Sequence, residues 1–327
     1  MESIARSTRT RLQLSLLVAA ALLGAGAGCG GDGGGDDGAA GAPSGWIQTD
    51  GSSTVEPFTA LAAERFQRRN AEVRITRSIV PSGTGGGFER FCSGETDLSY
   101  ASRLINDDER QACAARDIAY VEFQVANDAV TIVVNLRNDW ADCLTTGELR
   151  RIWEPSSMVT TWREVRFNFP DEELELFGPG TASGTFDYFT SEIVGTEGAS
   201  RSDYLMSEDD NLIVQDVIGA PGGLGYLGLA YFNENEDRLK ALEIDNGSGC
   251  VAPSVETAQA GQYPLSRPLY VYAKKEALQK AHVRAFLEYA LEDAVSLAED
   301  ALLVPLTGEQ LQHEQARFNE AVQNVGD

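Results

Sequence analysis

Pro81-Ser82-Gly83-Thr84-Gly85-Gly86-Gly87-Phe88-Glu89-Arg90-Phe91-Cys92 (PSGTGGGFERFC) decides the reading of this chain. Upstream of it, Val73, Ile75 and Ile79 alternate with Arg74, Thr76 and Ser78, which predicts a strand ending at Pro81. Downstream, Phe88, Phe91 and Cys92 fall at i, i+3 and i+4, one face of a helix. Between them lies the loop Ser82–Gly87, and the same plan occurs twice more, around Gly51–Thr54 and Gly180–Thr185. Each loop offers small hydroxyl groups, and backbone N–H groups no side chain obstructs, at the positive end of a helix dipole. That is a site for an oxyanion. One such loop is weak evidence. Three, each between a strand and a helix, point to one ligand held from several sides.

Outward from this stretch, the first unit reads Trp46–Ile47, loop, then Phe58, Leu61, Ala62 and Phe66 at helical spacing. Pro57 suits the first turn of that helix, and Ser53 with Glu56 fits a capping box. The third unit runs Leu174–Phe177, loop, then Phe186, Phe189 and Ile193. Ala129–Leu136 (AVTIVVNL) reads as a strand buried on both faces of a parallel sheet. Gly225–Phe232 and Pro268–Ala273 add aromatic-rich strands, and Lys274–Leu302 is expected to be largely helical. Alternating strands and helices define an α/β protein, in which ligands bind at the carboxyl ends of strands.

The chain has 327 residues, 43% of them hydrophobic, enough for two domains with real cores. Residues 1–28 read as a secretory signal: Arg6, Arg9 and Arg11, then an apolar stretch from Leu12 to Leu23, then small residues up to Cys29. This ending resembles the lipobox of bacterial lipoproteins, with Gly26 where Leu is usual, and implies lipidation at Cys29; the alternative is cleavage elsewhere in the Ala/Gly run. Residues 29–45 follow as a Gly/Asp-rich tether of roughly 20 Å reach. The expected location is extracytoplasmic, periplasmic or at the cell surface.

The remaining cysteines, Cys92, Cys113, Cys143 and Cys250, are an even number in an exported chain and predict disulfides. Of three pairings the favoured one is Cys92–Cys113 with Cys143–Cys250, worth about 3 and about 4.7 kcal/mol in the chain-entropy model. No CxxC occurs and His282 and His313 lie far from any Cys, so no metal is expected.

Formal charge is −24; residues 1–28 carry three Arg and one Glu, so the exported remainder stands at about −26. Nucleic acid and anionic lipid are poor partners for such a surface. An anion must then be held by short-range, desolvated hydrogen bonds, which the three loops supply. Gly223–Gly228 (GLGYLG) matches GxGxxG but sits inside a strand-like run, not between strand and helix, so it is not a nucleotide site. No GxxxxGK[ST], GxSxG or HExxH occurs, both histidines read as surface or half-buried residues, and the runs Asp171–Glu173 and Glu208–Asp210 read as solvated. Binding is a better reading than catalysis. Arg103, after Asp97–Tyr100, has two readings: a bidentate donor to an oxyanion, or a surface salt bridge to Asp107 or Asp108.

At these residues the chain resembles the phosphate-binding component of bacterial ABC phosphate importers. The match rests on GSSTVEP (51–57), PSGTGGGFERFC (81–92), GETDLSYASR (94–103), GPGTASGTFDYF (178–189) and GGLGYLGLAYF (222–232), in order. The resemblance implies a two-lobed, type II periplasmic-binding fold, with lobe one at 46–128 plus 264–327 and lobe two at 129–263. It implies phosphate dehydrated between the lobes, bound by Ser53, Thr54 and the Val55 N–H, by Ser82 and Thr84, and by Ser183, Gly184 and Thr185. Many members carry Asp where Arg103 stands; that Asp accepts the ligand proton and rejects sulfate. Some carry Arg just before the third loop, where this chain has Phe177–Gly180. Arg103 is then expected to supply the charge, and Asp187 or Glu56 to accept the proton. The implied partners are inorganic phosphate and a membrane permease, for a monomer that uses no cofactor. Another oxyanion, a sensor or adhesin role on the same fold, and a secreted phosphatase are the alternatives.

Overall fold

A computed structural model describes residues 43–77 and 81–324. The signal segment, Cys29 and nearly all of the tether lie outside the described residues, as do Ser78, Ile79 and Val80 of the strand expected before Pro81. Twelve strands are described: β1 (Gly45–Gly51), β2 (Val73–Thr76), β3 (Leu98–Ala101), β4 (Tyr120–Asn135), β5 (Cys143–Thr145), β6 (Glu175–Pro179), β7 (Leu205–Ser207), β8 (Gly223–Gly228), β9 (Leu239–Ala241), β10 (Glu243–Asp245), β11 (Cys250–Val251) and β12 (Ser266–Lys274). The helices that matter for the site are α1 (Glu56–Arg69), α2 (Gly83–Cys92), α3 (Asp107–Ala114), α4 (Thr146–Trp153), α5 (Trp162–Val165), α6 (Gly184–Phe189) and α7 (Asp210–Gly219).

Nine of the described strands form one sheet in the order β2-β1-β3-β12-β4-β8-β6-β7, with β9 also paired to β4. At each end the strands are parallel: β1 with β2 and β3, and β6 with β7 and β8. Helices supply the crossovers, as parallel pairing requires. In the middle, β4 and β12 are antiparallel to each other, β12 to β3 and β4 to β8. The expected strand is buried from Ala129 to Asn135, where β4 ends; Leu136 lies beyond it and is exposed, and the neighbours of β4 are antiparallel. Burial on both faces needs only that both faces be covered. Val130, Ile132 and Val134 enter one hydrophobic cluster, while Val133 points the other way, to Phe177, Ile213 and Val217.

β4 is long enough to serve two cores. Phe123, Val125 and Ala126 pack with Ile47, Phe58, Leu269 and Phe286. From Ala129 onward the strand packs with Trp153, Trp162, Phe189 and Tyr226. Phe189 and Tyr226 stack with centroids 3.9 Å apart, and Trp153 meets the Tyr226 ring edge-on at 4.9 Å. Gly223–Gly228 is strand throughout, so no helix begins inside it; Gly228 then caps a helix at Leu229–Asn233, where strand was expected to Phe232. Lys274–Leu302 is helical over Ala281–Glu292 and Ala294–Asp300. The structure contains the disulfides Cys92–Cys113, joining the ends of α2 and α3, and Cys143–Cys250, joining β5 to β11.

Candidate functional site

The first loop leaves β1 at Gly51, whose φ of 144° favours glycine and whose Cβ would sit 2.1 Å from the Tyr100 carbonyl oxygen. Only a bare backbone passes so close to β3. The Ser52 N–H then donates to that carbonyl (2.9 Å), and the Thr54 N–H to Ser52 Oγ (3.3 Å). Pro57 lies in the first turn of α1, but the Ser53–Glu56 capping box does not form: Val55 is the N-cap and no side chain caps it. Glu56 is instead paired with Arg77.

Buried Asp50 ties the first loop to the second. Its Oδ1 accepts the N–H groups of Gly51 (2.8 Å) and Ser82 (3.3 Å), and Oδ2 accepts from Arg90 Nη1 (2.6 Å). The expected loop Ser82–Gly87 is largely helix: Ser82 is the N-cap of α2 and Thr84 lies in its first turn, where Oγ1 accepts the Ser102 N–H (3.2 Å) and lies 3.1 Å from Ser102 Oγ. Arg103 is held bidentately by Glu109, at 2.8 and 2.7 Å. The salt-bridge partner expected from sequence was Asp107 or Asp108; Asp107 pairs with Arg110 instead. Glu109 is placed by the capping box of α3, in which it accepts the Asn106 N–H at 2.9 Å.

The third loop enters α6 with Ser183 as N-cap, its Oγ accepting the Thr185 N–H at 3.2 Å. Glu208 reaches the same loop and accepts the Ala182 N–H (3.2 Å). The first and third loops meet at Gly184, whose Cβ would lie 2.4 Å from Thr54 Oγ1.

A cavity of about 450 Å³ opens beside this contact. Ser53, Thr54, Thr84, Arg103, Asp187 and Arg267 are among the residues that line it. Arg267, at the start of β12, is its best-connected cation. Nη2 donates to Thr54 Oγ1 (2.7 Å) and the Gly184 carbonyl (3.3 Å), Nε and Nη2 both lie 3.2 Å from Asp128 Oδ2, and the guanidinium stacks 3.9 Å from the Tyr188 ring centroid. Asp187 stands nearby. Burial pushes its carboxyl above the usual aspartate value, Glu197 adds to the shift, and Arg267 and the Ser53 hydroxyl oppose it.

Of the residues singled out from sequence, Ser53, Thr54, Thr84 and Arg103 line the cavity. Ser82 faces Asp50 through its N–H, Val55 is fully buried, and Ser183, Gly184 and Thr185 form the helix start beside Thr54 rather than the cavity wall. Of the two acids considered as proton acceptors, Asp187 lines the cavity and Glu56 does not. Sequence reading missed Arg267, Asp128 and Ser102. The one local cue to Arg267 was Ser266–Arg267–Pro268 at the start of an aromatic strand; its meaning comes from the register that sets Arg267 opposite Asp128.

Two cores sharing a central antiparallel strand pair, with Gly/Ser/Thr loops facing a cleft, define a substrate-binding protein of the type II periplasmic kind. A family model described as a PBP superfamily domain matches residues 35–294. Protein SphX of Synechococcus elongatus is 43% identical over 271 residues, 82% of this chain and 79% of that one. Phosphate-binding protein PstS of Staphylococcus saprophyticus is 38% identical over 290 residues, 88% and 89% of the two chains. A crystal structure of a possible phosphate binding protein from Planctomyces limnophilus superposes with a TM-score of 0.81 at 44% identity, covering 85% of this chain and 99% of that one. The chain belongs to this family of PstS- and SphX-type phosphate-binding proteins.

Proposed function

We propose that this protein binds inorganic phosphate in the cavity beside Arg267 and delivers it to the permease of an ABC importer. The names of its relatives support the ligand class, and one observation carries the site: Arg267 joins the first loop at Thr54 to the third at Gly184, while Asp50 joins the first to the second. The first two segments line the cleft, the third meets the first at Gly184, and Arg267 carries hydrogen bonds to the first and the third. The ligand set is Ser53, Thr54 and the Val55 N–H, Ser82 and Thr84, and Ser183, Gly184 and Thr185, with Arg267 and Arg103 as cations. Asp187 accepts the phosphate proton. A buried acceptor of this kind penalises sulfate, which at neutral pH has no proton to give it.

The lobes are 46–128 plus 264–327 and 129–263, and closing them removes water from the anion and strengthens each donor it meets. The separate hydrophobic cores on either side of Asn127–Asp128 support this division. Each disulfide then stays within one lobe. The protein is exported, anchored through lipidated Cys29 on its tether, acts as a monomer and carries out no covalent chemistry. No helix among the described residues is long and apolar enough to cross a membrane.

Isothermal titration with phosphate and with sulfate tests the proposal. Saturable heat from phosphate at micromolar protein, and none from sulfate, is expected. No heat from phosphate overturns the reading; equal affinity for sulfate overturns the role of Asp187. Turnover of a chromogenic phosphate ester would replace binding by hydrolysis.

A further inference from the structure

The chain contains four lysines, and three of them, Lys274, Lys275 and Lys280, fall within seven residues at and beyond the end of β12. In a protein of net charge −24 this is a local reversal of sign. Lys274 and Lys275, with Arg116 from the turn after α3, line a second cavity of about 360 Å³. β12 begins at the phosphate cleft and ends here, so the two cavities are roughly 25 Å apart along the strand.

Lys274 gives this cavity its chemistry. It is only 8% exposed, and while its backbone N–H donates to the Asp97 carbonyl (3.2 Å), its ammonium has no hydrogen-bond or ion-pair partner among the described residues. Its ammonium lies 5.3 Å from the Phe91 ring centroid, which positions the charge without satisfying its N–H groups. The acids within electrostatic reach are Asp97, Glu276 and Glu95, with Lys280 the opposing cation. Asp97 is already used: Oδ1 accepts from Lys280 Nζ (2.7 Å) and Oδ2 from the Gln48 N–H (2.9 Å). Glu95 is held by Arg90 and Ser93. Glu276 is exposed at the rim, as is Asp117. Burial accordingly holds the Lys274 amine below the usual lysine value. Arg116 donates through Nη1 to the Ser93 carbonyl (3.1 Å).

We propose that the cavity lined by Arg116, Lys274 and Lys275 is a second anion site, taking a small oxyanion or carboxylate against the Lys274 ammonium. Asp117 and Glu276 at its rim restrict it to compact ligands, since a larger anion would meet them. The site is independent of phosphate capture in the cleft.

Four lysines make the test direct. The full chain, labelled with 13C at lysine Cε, is titrated at constant ionic strength with inorganic phosphate and, separately, with acetate. The Lys274 resonance should move along a saturating curve in at least one titration while Lys240 stays still, and Lys274 should acetylate at least fivefold more slowly at saturation. Saturation by phosphate alone assigns an oxyanion, by acetate alone a carboxylate; either supports the site. In Lys274→Gln the response of Lys275 should vanish while the calorimetric isotherm for phosphate in the cleft is unchanged, which separates this proposal from the previous one. A Lys274 shift that is absent, linear in added salt, or shared by Lys240 overturns it.

Discussion

Arg267 Nη2 lies 2.7 Å from Thr54 Oγ1, two groups 213 residues apart in the chain. The threonine hydroxyl is oriented by that donor, and the guanidinium is oriented by Asp128 and Tyr188. A planar cation so held is ready to meet a second oxygen without reorganising.

Arg267→Ala should therefore weaken phosphate binding more than Arg103→Ala does. Removing a buried, hydrogen-bonded charge at a binding site costs about 2–5 kcal/mol, whereas Arg103 has 43% of its side chain exposed and Glu109 as an established partner. Titration calorimetry on both variants gives the order. A larger loss from Arg103→Ala would make Arg103 the principal charge.

Asp187→Asn should bring phosphate and sulfate affinities together, chiefly by weakening phosphate. The carboxyl of the free protein is raised by burial first and by Glu197 second, so it binds its proton more tightly folded than unfolded. Its contribution to stability is full below the ordinary aspartate range and is lost as pH rises through the raised value. Competition calorimetry at pH 7 reads the selectivity; an unaltered phosphate-to-sulfate ratio removes Asp187 from the site.

Gly184→Ala places a methyl group where Thr54 Oγ1 now lies, 2.4 Å away. The first and third loops must separate to admit it. Phosphate affinity should fall at least tenfold while the melting temperature moves by only a few degrees, because the cores are untouched. An unchanged isotherm would mean that the loop contact is dispensable for binding.

Asp210, at the start of α7, is pushed up to about 6, mainly by burial and then by Asp209. The folded state favours the neutral form, so Asp210 costs stability as pH rises from about 4 to about 6 and above. Asp210→Asn should be more stable than the parent at pH 7, by about 1–3 kcal/mol, and indistinguishable from it near pH 3.5. Urea melts at the two pH values check this; a gain equal at both would show that charge is not the cause.

Cys143 and Cys250 are 107 residues apart in sequence, Cys92 and Cys113 only 21. Loss of the first bridge should cost about 5 kcal/mol and of the second about 3 in the chain-entropy model. Paired Cys→Ala variants should melt in that order, both below the parent.

The three strand-to-helix connections were legible because each is local: a strand, a few Gly, Ser and Thr residues, and a helix, close together in the chain. The same holds for the helix stripe around Phe58 and Phe66. Arg267 was not legible, because its role depends on antiparallel pairing that sets it against Asp128, 139 residues away. The partner of Arg103 was within reach. Asn106–Asp107–Asp108–Glu109 is a capping-box pattern, and it fixes a carboxylate at a helix start close to Arg103. Glu56 does not complete a capping box because the helix starts two residues later than a Ser53 cap requires: Val55 is the N-cap and Glu56 the first helical residue.

Asp50 has a consequence for the thermodynamics of capture. It fastens Gly51, Ser82 and Arg90 together inside the folded protein. If the proposed ligand set holds, an ion that touches the first loop finds the second already in register, so the disorder of that segment is lost during folding rather than at the encounter. Capture then has the arithmetic of a two-jawed clamp, with a single gap left to close.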